Sequence, residues 1–282
     1  MKITEYIWIG LSLLALPGRA TPLWDVMKSA DVDAKFAQTQ QSLDILVKQD
    51  LIVTFRVNSG TATPWRTHPE ADELWFVRRG SAKVTLGDFT LMAGVAGGSA
   101  KEYDVSGGDV VNVPRGKAYR IAPGAGRFEY VAVRIYPDHR HTPLVGTGAG
   151  LDPKPMPPVV AKSEIEAKLA GLEKNETLHS LGPVLVNYIV APPSWPKPTV
   201  PESHMVCDDY YFVRLGTARL AVDGYIVNPK EEPAGEIHGT SAVGAREYTV
   251  GPGDLISIPR NTMHYIAPES PRFGYLLVKF CE

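Results

Sequence analysis

The sequence predicts an all-β protein built from two tandem barrels, each preceded by a short helix. Three observations predict it. The chain repeats itself in register. Each copy is made of short segments rich in β-branched and aromatic residues. The 26 Gly and 24 Pro suit many short strands joined by turns. A chain of 282 residues is comfortable as two domains.

The first twenty residues, MKITEYIWIGLSLLALPGRA, stand apart. Lys2 opens them, an apolar run follows from Tyr6 to Leu16, and Pro17, Gly18, Arg19 and Ala20 close them. That is the order of a secretory signal peptide, with cleavage expected after Ala20. Glu5 and Arg19 depart from the pattern. The apolar run is too short to span a bilayer, so the expectation is an exported protein, periplasmic or secreted, with no stable membrane insertion.

The first copy is expected over residues 22–142. SADVDAKF, from Ser29, leads into a helix-period stretch. LIVTFRV, ELWFVRRG, SAKVTLG, DVVNVP, AYRIAP and FEYVAVRI then read as strands, broken by Gly, Pro and Asp. Residues 143–158 are Gly- and Pro-rich without periodicity and read as a linker.

The second copy is expected over residues 159–282. KSEIEAKL, from Lys162, repeats the helical segment, and DYYFVRLGTARLAVDG, from Asp209, repeats ELWFVRRGSAKVTLGD, from Glu73. PGDLISIPRNTMHYIAPESPRFGYLLVKF, from Pro252, matches GGDVVNVPRGKAYRIAPGAGRFEYVAVRI, from Gly107, with GD, PR, IAP and RF in register. VNPKEEPAGEIHGTSAVG is extra in the second copy and reads as a long surface loop. Short strands at this spacing mean a sandwich or a barrel.

Composition excludes several classes. Formal net charge is -2, the pI is near 6.4 and there is no Lys/Arg block, so nothing suggests a nucleic-acid surface. No G-x-G-x-x-G, P-loop or G-x-S-x-G occurs, which leaves dinucleotide folds and serine hydrolases unsupported. Cys207 and Cys281 are the only cysteines. In an exported protein an even count permits a disulfide, but two cysteines are not a framework, and two small semi-buried side chains are the plainer reading. Asn175, Glu176 and Thr177 fit a glycosylation sequon, which matters only in a eukaryotic secretory pathway.

Two motifs carry the chemistry. The second copy has ESHMVCDDYYFVRLG, Glu202 to Gly216, and then GDLISIPRNTMH, Gly253 to His264. The first has RTHPEADELWFVRRG, Arg66 to Gly80, and then GDVVNVPRGKAY, Gly108 to Tyr119. This repeat unit resembles the cupin family. Its first motif runs from His-x-His through a Glu to a Gly, and its second from Gly-Asp through Pro-x-Gly to a closing His. The resemblance covers nearly the whole mature chain and implies two double-stranded β-helix, or jelly-roll, barrels: a bicupin.

It also implies metal ligands at four positions, which in the second copy are Glu202, His204, Asp209 and His264. Two imidazoles with carboxylates suit Fe(II) or Mn(II), with Zn(II) as the alternative, and leave positions open for substrate. Residues i and i+2 share a strand face, so Glu202 and His204 are both expected to point inward. Asp209 is expected to start the antiparallel neighbour and face them. His264 arrives from another strand after the turn at Pro259, Arg260 and Asn261.

The sequence departs from the family in places. Glu202 replaces a His and Asp209 a Glu, and both replacements can ligate. Asn261 replaces the motif glycine and tolerates a positive φ. A polar network without metal is the alternative reading of the same residues. In the first copy the four positions hold Arg66, His68, Glu73 and Tyr119. Arg66 stays protonated and cannot ligate, so no metal is expected there. Arg66 is expected to pair with Glu73 or to clamp an anion.

Cys207 is expected on a turn facing away from the ligands. Trp75 and Tyr211 should point inward as barrel filling. Asp138 to His141, His179 and His238 read as loop or turn residues, with a lid or acid/base role over the second barrel as the alternative for His238.

What the resemblance implies is a metal-dependent enzyme acting on a small oxygenated molecule, of the dioxygenase, decarboxylase, isomerase or lyase type. Glu202 would be a fourth ligand or a general base. A bicupin that binds a small molecule without chemistry is the alternative. Open barrel edges leave room for a homo-oligomer.

Overall fold

The computed structural model describes residues 26–48, 51–89, 98–136, 154–181, 183–194 and 198–281. The expected signal peptide, the DHRH segment at Asp138 to His141 and most of the linker lie outside the described residues.

Both expected helices form, α1 over Ser29–Gln38 and α2 over Lys162–Gly171. Each buries two residues four apart, Val32 and Phe36 in α1 and Ile165 and Leu169 in α2, which puts one face of each helix on the core. Among the described residues all other regular structure is strand apart from one short 3-10 turn, and the fold is all-β. Among the described residues no helix is long and apolar enough to cross a membrane.

The strands form two similar barrels. In the first, a six-stranded sheet runs in the order Val159–Val160, Val110–Val113, Asp72–Arg79, Arg127–Ile135, Leu51–Ser59, Ser42–Val47. It faces a four-stranded sheet of Arg66–Thr67, Ala118–Pro123, Ser81–Gly87 and Ala100–Ser106. In the second, the six-stranded sheet runs Val26–Met27, Leu255–Ile258, Cys207–Leu215, Phe273–Cys281, Val184–Ala191, Glu176–Leu181. Its facing sheet runs Lys230–Glu232, Glu236–His238, Glu202–His204, His264–Pro268, Ala218–Val222, Arg246–Val250.

The period of two along each strand sorts side chains into separate cores. Trp75 and Val77 point into the first barrel, while Leu74 and Phe76 join a larger core between the two barrels. Tyr211 and Val213 likewise fill the second barrel, and Tyr210 and Phe212 enter the shared core. This explains why Arg127–Ile135 and Phe273–Cys281 are buried on both faces and mostly apolar, as strands covered on two sides are.

The two copies exchange their first strands. Val26 and Met27 belong to the first copy in sequence, yet they pair with Ile256 and Leu255 of the second barrel. Val159 and Val160 pair in return with Val111 and Val110 of the first. The helices that follow are capped across the same boundary. Neither helix has a side-chain cap of its own. Asp254 Oδ1 accepts the Ser29 N–H at 2.6 Å, and Asp109 Oδ1 accepts the Lys162 N–H at 2.7 Å. A carboxylate there satisfies an orphan amide and complements the helix dipole. These are the aspartates of the two Gly-Asp motifs.

One expectation is corrected. The inserted segment of the second copy forms the strands Lys230–Glu232, Glu236–His238 and Ser241–Val243. Its first two strands extend the sheet beside Glu202–His204. The physical reason is the open edge: in the first barrel the matching strand, Arg66–Thr67, has no neighbour on that side among the described residues.

Candidate metal centre

Strand Glu202–His204 pairs on one side with the insert, Glu202 opposite His238 and His204 opposite Glu236. On the other side Glu202 lies opposite His264. Residues paired in this way share a face, so two carboxylates and three imidazoles converge. The turn before His264 is closed by Thr262 N–H donating to the Pro259 carbonyl at 3.1 Å. Asn261 sits at φ 62°, as the motif position requires, and its N–H donates to the His204 carbonyl at 2.7 Å. That bond ties the two motifs together.

Asp209 does not adjoin Glu202 and His204 as a neighbouring strand. Its strand lies in the opposite six-stranded sheet, paired with Leu255–Ile258 and Phe273–Cys281, so it faces them across the barrel. Met205 and Val206 carry the chain from one sheet to the other rather than closing a hairpin. Cys207 is joined to Cys281 in a disulfide, opposite it in register, and offers no thiolate to a metal.

The donor atoms of Glu202, His204 and His264 lie within 4.8 Å of one another; Asp209 is not in that set. His264 Nε2 is 3.2 Å from Glu202 Oε1. Its Nδ1 stands 3.1 Å from the Thr262 carbonyl, which accepts the Nδ1–H and leaves Nε2 as the lone-pair nitrogen. That Nε2 is buried without a hydrogen-bond partner among the described residues. His204 is arranged in the same way. Glu236 Oε2 accepts its Nδ1–H, and Nε2 turns inward, 3.2 Å from Asp209 Oδ2. An outer oxygen that fixes the tautomer of each imidazole is the usual support of a histidine metal ligand, so this donor set fits a divalent ion.

Charge is densely balanced here. Burial opposes ionisation of His204, but the carboxylates of Asp209 and Glu236 outweigh it and push its pKa up to about 10. Burial likewise opposes the charge on Asp209, and the Lys279 ammonium and His204 nevertheless hold its carboxyl below the usual range. Lys279 Nζ lies 3.2 Å from His204 Nε2, 3.4 Å from Glu236 Oε1 and 3.8 Å from Asp209 Oδ1. His238 Nε2 is 3.5 Å from Glu202 Oε2, and that carboxylate raises the His238 pKa.

The cluster opens into a cavity of about 790 Å³, walled in part by Tyr211, Tyr275 and Lys279. The two tyrosine rings stack with centroids 4.3 Å apart.

Sequence reasoning missed Lys279 and Glu236 and took His238 for a loop residue. Lys279 had a signal: it continues the inward register of Tyr275 and Leu277 and repeats the position of Arg134. Glu236 had none, because the pairing of the insert decides where it points.

No family model matches the sequence, and no curated protein matches it. A solved structure of a Cupin 2 conserved barrel domain protein from Leptotrichia buccalis matches this fold with a TM-score of 0.59. The match covers 91% of this chain and 96% of that one at 10% sequence identity. The chain has the cupin fold. Looser matches include an oxalate decarboxylase from Lactobacillus farciminis in a formate complex, with TM-score 0.48, 17% identity, and 83% of this chain and 78% of that one covered. Another is an oxalate decarboxylase from Bacillus subtilis at pH 4.6, with TM-score 0.47, 14% identity, and 91% and 71% covered.

In the first cupin barrel the four motif positions are occupied differently. Glu73 pairs with Arg134, not with Arg66: Arg134 donates to Glu73 Oε1 at 2.9 Å and stands 3.1 Å from His68 Nε2. Trp75 Nε1–H donates to Glu73 Oε2 at 2.7 Å, and the Tyr119 hydroxyl lies 2.9 Å from His68 Nε2. Burial opposes the Glu73 charge, but His68 and Arg134 hold its pKa at about 2.

His179 is buried at the other end of the second barrel's sheet, its Nδ1 2.8 Å from the Lys154 carbonyl.

Proposed function

We propose that the second barrel is a metal-dependent enzyme site for a small oxygenated molecule, with the ion held by Glu202, His204 and His264. The observation that carries this reading is the convergence of their three donor atoms beside the cavity, with His264 Nε2 buried and without a hydrogen-bond partner among the described residues. Fe(II) and Mn(II) suit this mixed imidazole and carboxylate set, and Zn(II) shares it. Bound there, such an ion supplies Lewis acidity to a carboxylate, enol or hydroxyl oxygen.

The chain's own groups divide the remaining work. Asp209, expected from the sequence as a ligand, lies against His204 and Lys279 on the opposite sheet. Lys279 presents a fixed positive charge to the cavity and suits a substrate with an anionic oxygen. His238 faces Glu202 at the cavity wall, and that carboxylate favours its protonated form, which suits the pair to proton transfer. Tyr211 and Tyr275 supply a flat wall. The reaction class stays among oxidation by dioxygen, decarboxylation, isomerisation and elimination. Export belongs to the same proposal, and the Cys207–Cys281 disulfide supports it, since such bonds persist in oxidising compartments.

A second reading, binding without chemistry, is favoured by one observation. Lys279 Nζ already lies among His204, Asp209 and Glu236 and balances their charge without an ion.

Metal analysis separates the two. Protein loaded with Mn(II) or Fe(II) and gently desalted is expected to retain about one ion per chain, and His264→Ala to lose it. Wild-type protein that retains none supports the binder. Equal retention by wild type and His264→Ala places the ion elsewhere.

A further inference from the structure

The interior of the first barrel carries guanidinium groups where the second carries donors. Register fixes which residues face it. Arg56 lies opposite Tyr130 and Arg66 opposite Tyr119, and both tyrosines belong to that barrel's internal core. Arg134 lies opposite Glu73 on the same face. Paired residues share a face, so three guanidiniums enter one mouth. The repeat places Ile189 and Glu202 at the positions of Arg56 and Arg66 in the second barrel: Ile189 lies opposite Tyr275 as Arg56 lies opposite Tyr130.

The carboxylates on this face do not neutralise them. Glu73 is taken by Arg134. Asp44, on the exposed edge strand, accepts the Thr54 hydroxyl at 2.7 Å. Arg56 and Arg66 form no hydrogen bond or ion pair among the described residues, and Arg56 Nε is buried without a partner. A guanidinium has five donors and no way to shed its charge, so leaving one unpaired in a barrel is costly. An oxyanion is the ligand that a guanidinium fork matches.

We propose that the mouth of the first barrel is a binding site for a small molecule bearing an oxyanion group, held between Arg56 and Arg66. It is separate from the second-barrel cluster and does not depend on the reading of that cluster.

The test is calorimetric titration of the full chain at low ionic strength with two probes, inorganic phosphate and succinate. The two probes tell a tetrahedral from a planar oxyanion. The expected result is saturable one-site binding of at least one of them. Arg56→Gln and Arg66→Gln should each weaken it about tenfold or more, while His264→Ala leaves it unchanged. Arg66 is exposed, so Arg66→Gln keeps the test valid if Arg56→Gln fails to fold. Absence of saturable binding by either probe overturns the proposal. So does binding that survives both Arg substitutions, or binding that His264→Ala abolishes.

Discussion

Phe76 and Phe212 stack face to face across the boundary between the barrels, with ring centroids 3.5 Å apart and planes within 6° of parallel. They occupy the same position of the repeat, so each meets its own counterpart. Both lie in the shared core. Phe212→Ala is expected to cost about 3–5 kcal/mol, the range for a buried phenylalanine whose cavity cannot collapse. Chemical denaturation followed by near-UV dichroism checks it. A cost under about 1 kcal/mol would mean that the barrels do not depend on this contact.

The Cys207–Cys281 disulfide closes a sequence separation of 74 residues. Loop-closure entropy for that length corresponds to roughly 4 kcal/mol of stability. Cys207→Ser and Cys281→Ser should each lose that amount in denaturant unfolding, and dithiothreitol should bring the wild type to the same level. Asp209 and Lys279 each sit two residues from a bridged cysteine, so the reduced protein should also hold metal less tightly.

Glu73 gives a pH dependence with a defined sign. Its folded-state pKa of about 2 lies below the ordinary 4.5. The carboxylate therefore contributes stability that is complete above about pH 4.5 and is lost as pH falls towards about 2. The difference corresponds to about 3 kcal/mol. The gap in unfolding free energy between wild type and Glu73→Gln should be open at neutral pH and close over that window. A gap that stays constant through it would exclude the His68 and Arg134 contacts of Glu73 as the source.

His204 gives a pH dependence for metal uptake. With a folded-state pKa of about 10 it is protonated at neutral pH, so an ion taken by its Nε2 displaces a proton. Apparent Mn(II) affinity should rise with pH, by up to about tenfold per pH unit from this proton alone. Competition against a chelator at two pH values near neutrality measures it. Affinity independent of pH would remove His204 from the ligand set.

The repeat made the barrels legible, because strand order and turn chemistry are local. Gly216 is an example: it sits at φ +69°, and a Cβ there would meet the Arg272 carbonyl oxygen at 2.0 Å, so the motif letter has a steric cause. Asn261 is another, since its positive φ follows from its place in the turn. The neighbours of the candidate site were less legible. Glu236 reaches His204 only because the insert pairs with an open sheet edge. Asp209 faces His204 from the opposite sheet, where Lys279 lies beside it. Both facts rest on contacts between distant segments, which spacing along the chain does not encode. The disulfide was open for the same reason, since two cysteines give no register.

The exchange of Val26–Met27 for Val159–Val160 bears on ancestry. A single-copy forerunner that closed its sheet in this way would have borrowed that strand from a second chain, and neither chain would have been whole before the two met. Joining both in one polypeptide sets their effective concentration by the tether and not by the level of expression. It also ends a constraint of inheritance. Two identical chains must carry the same letters in both barrels, whereas a fused pair can diverge. Glu202 and His264 in one barrel, with Arg66 and Tyr119 at the matching places in the other, are the mark of that freedom.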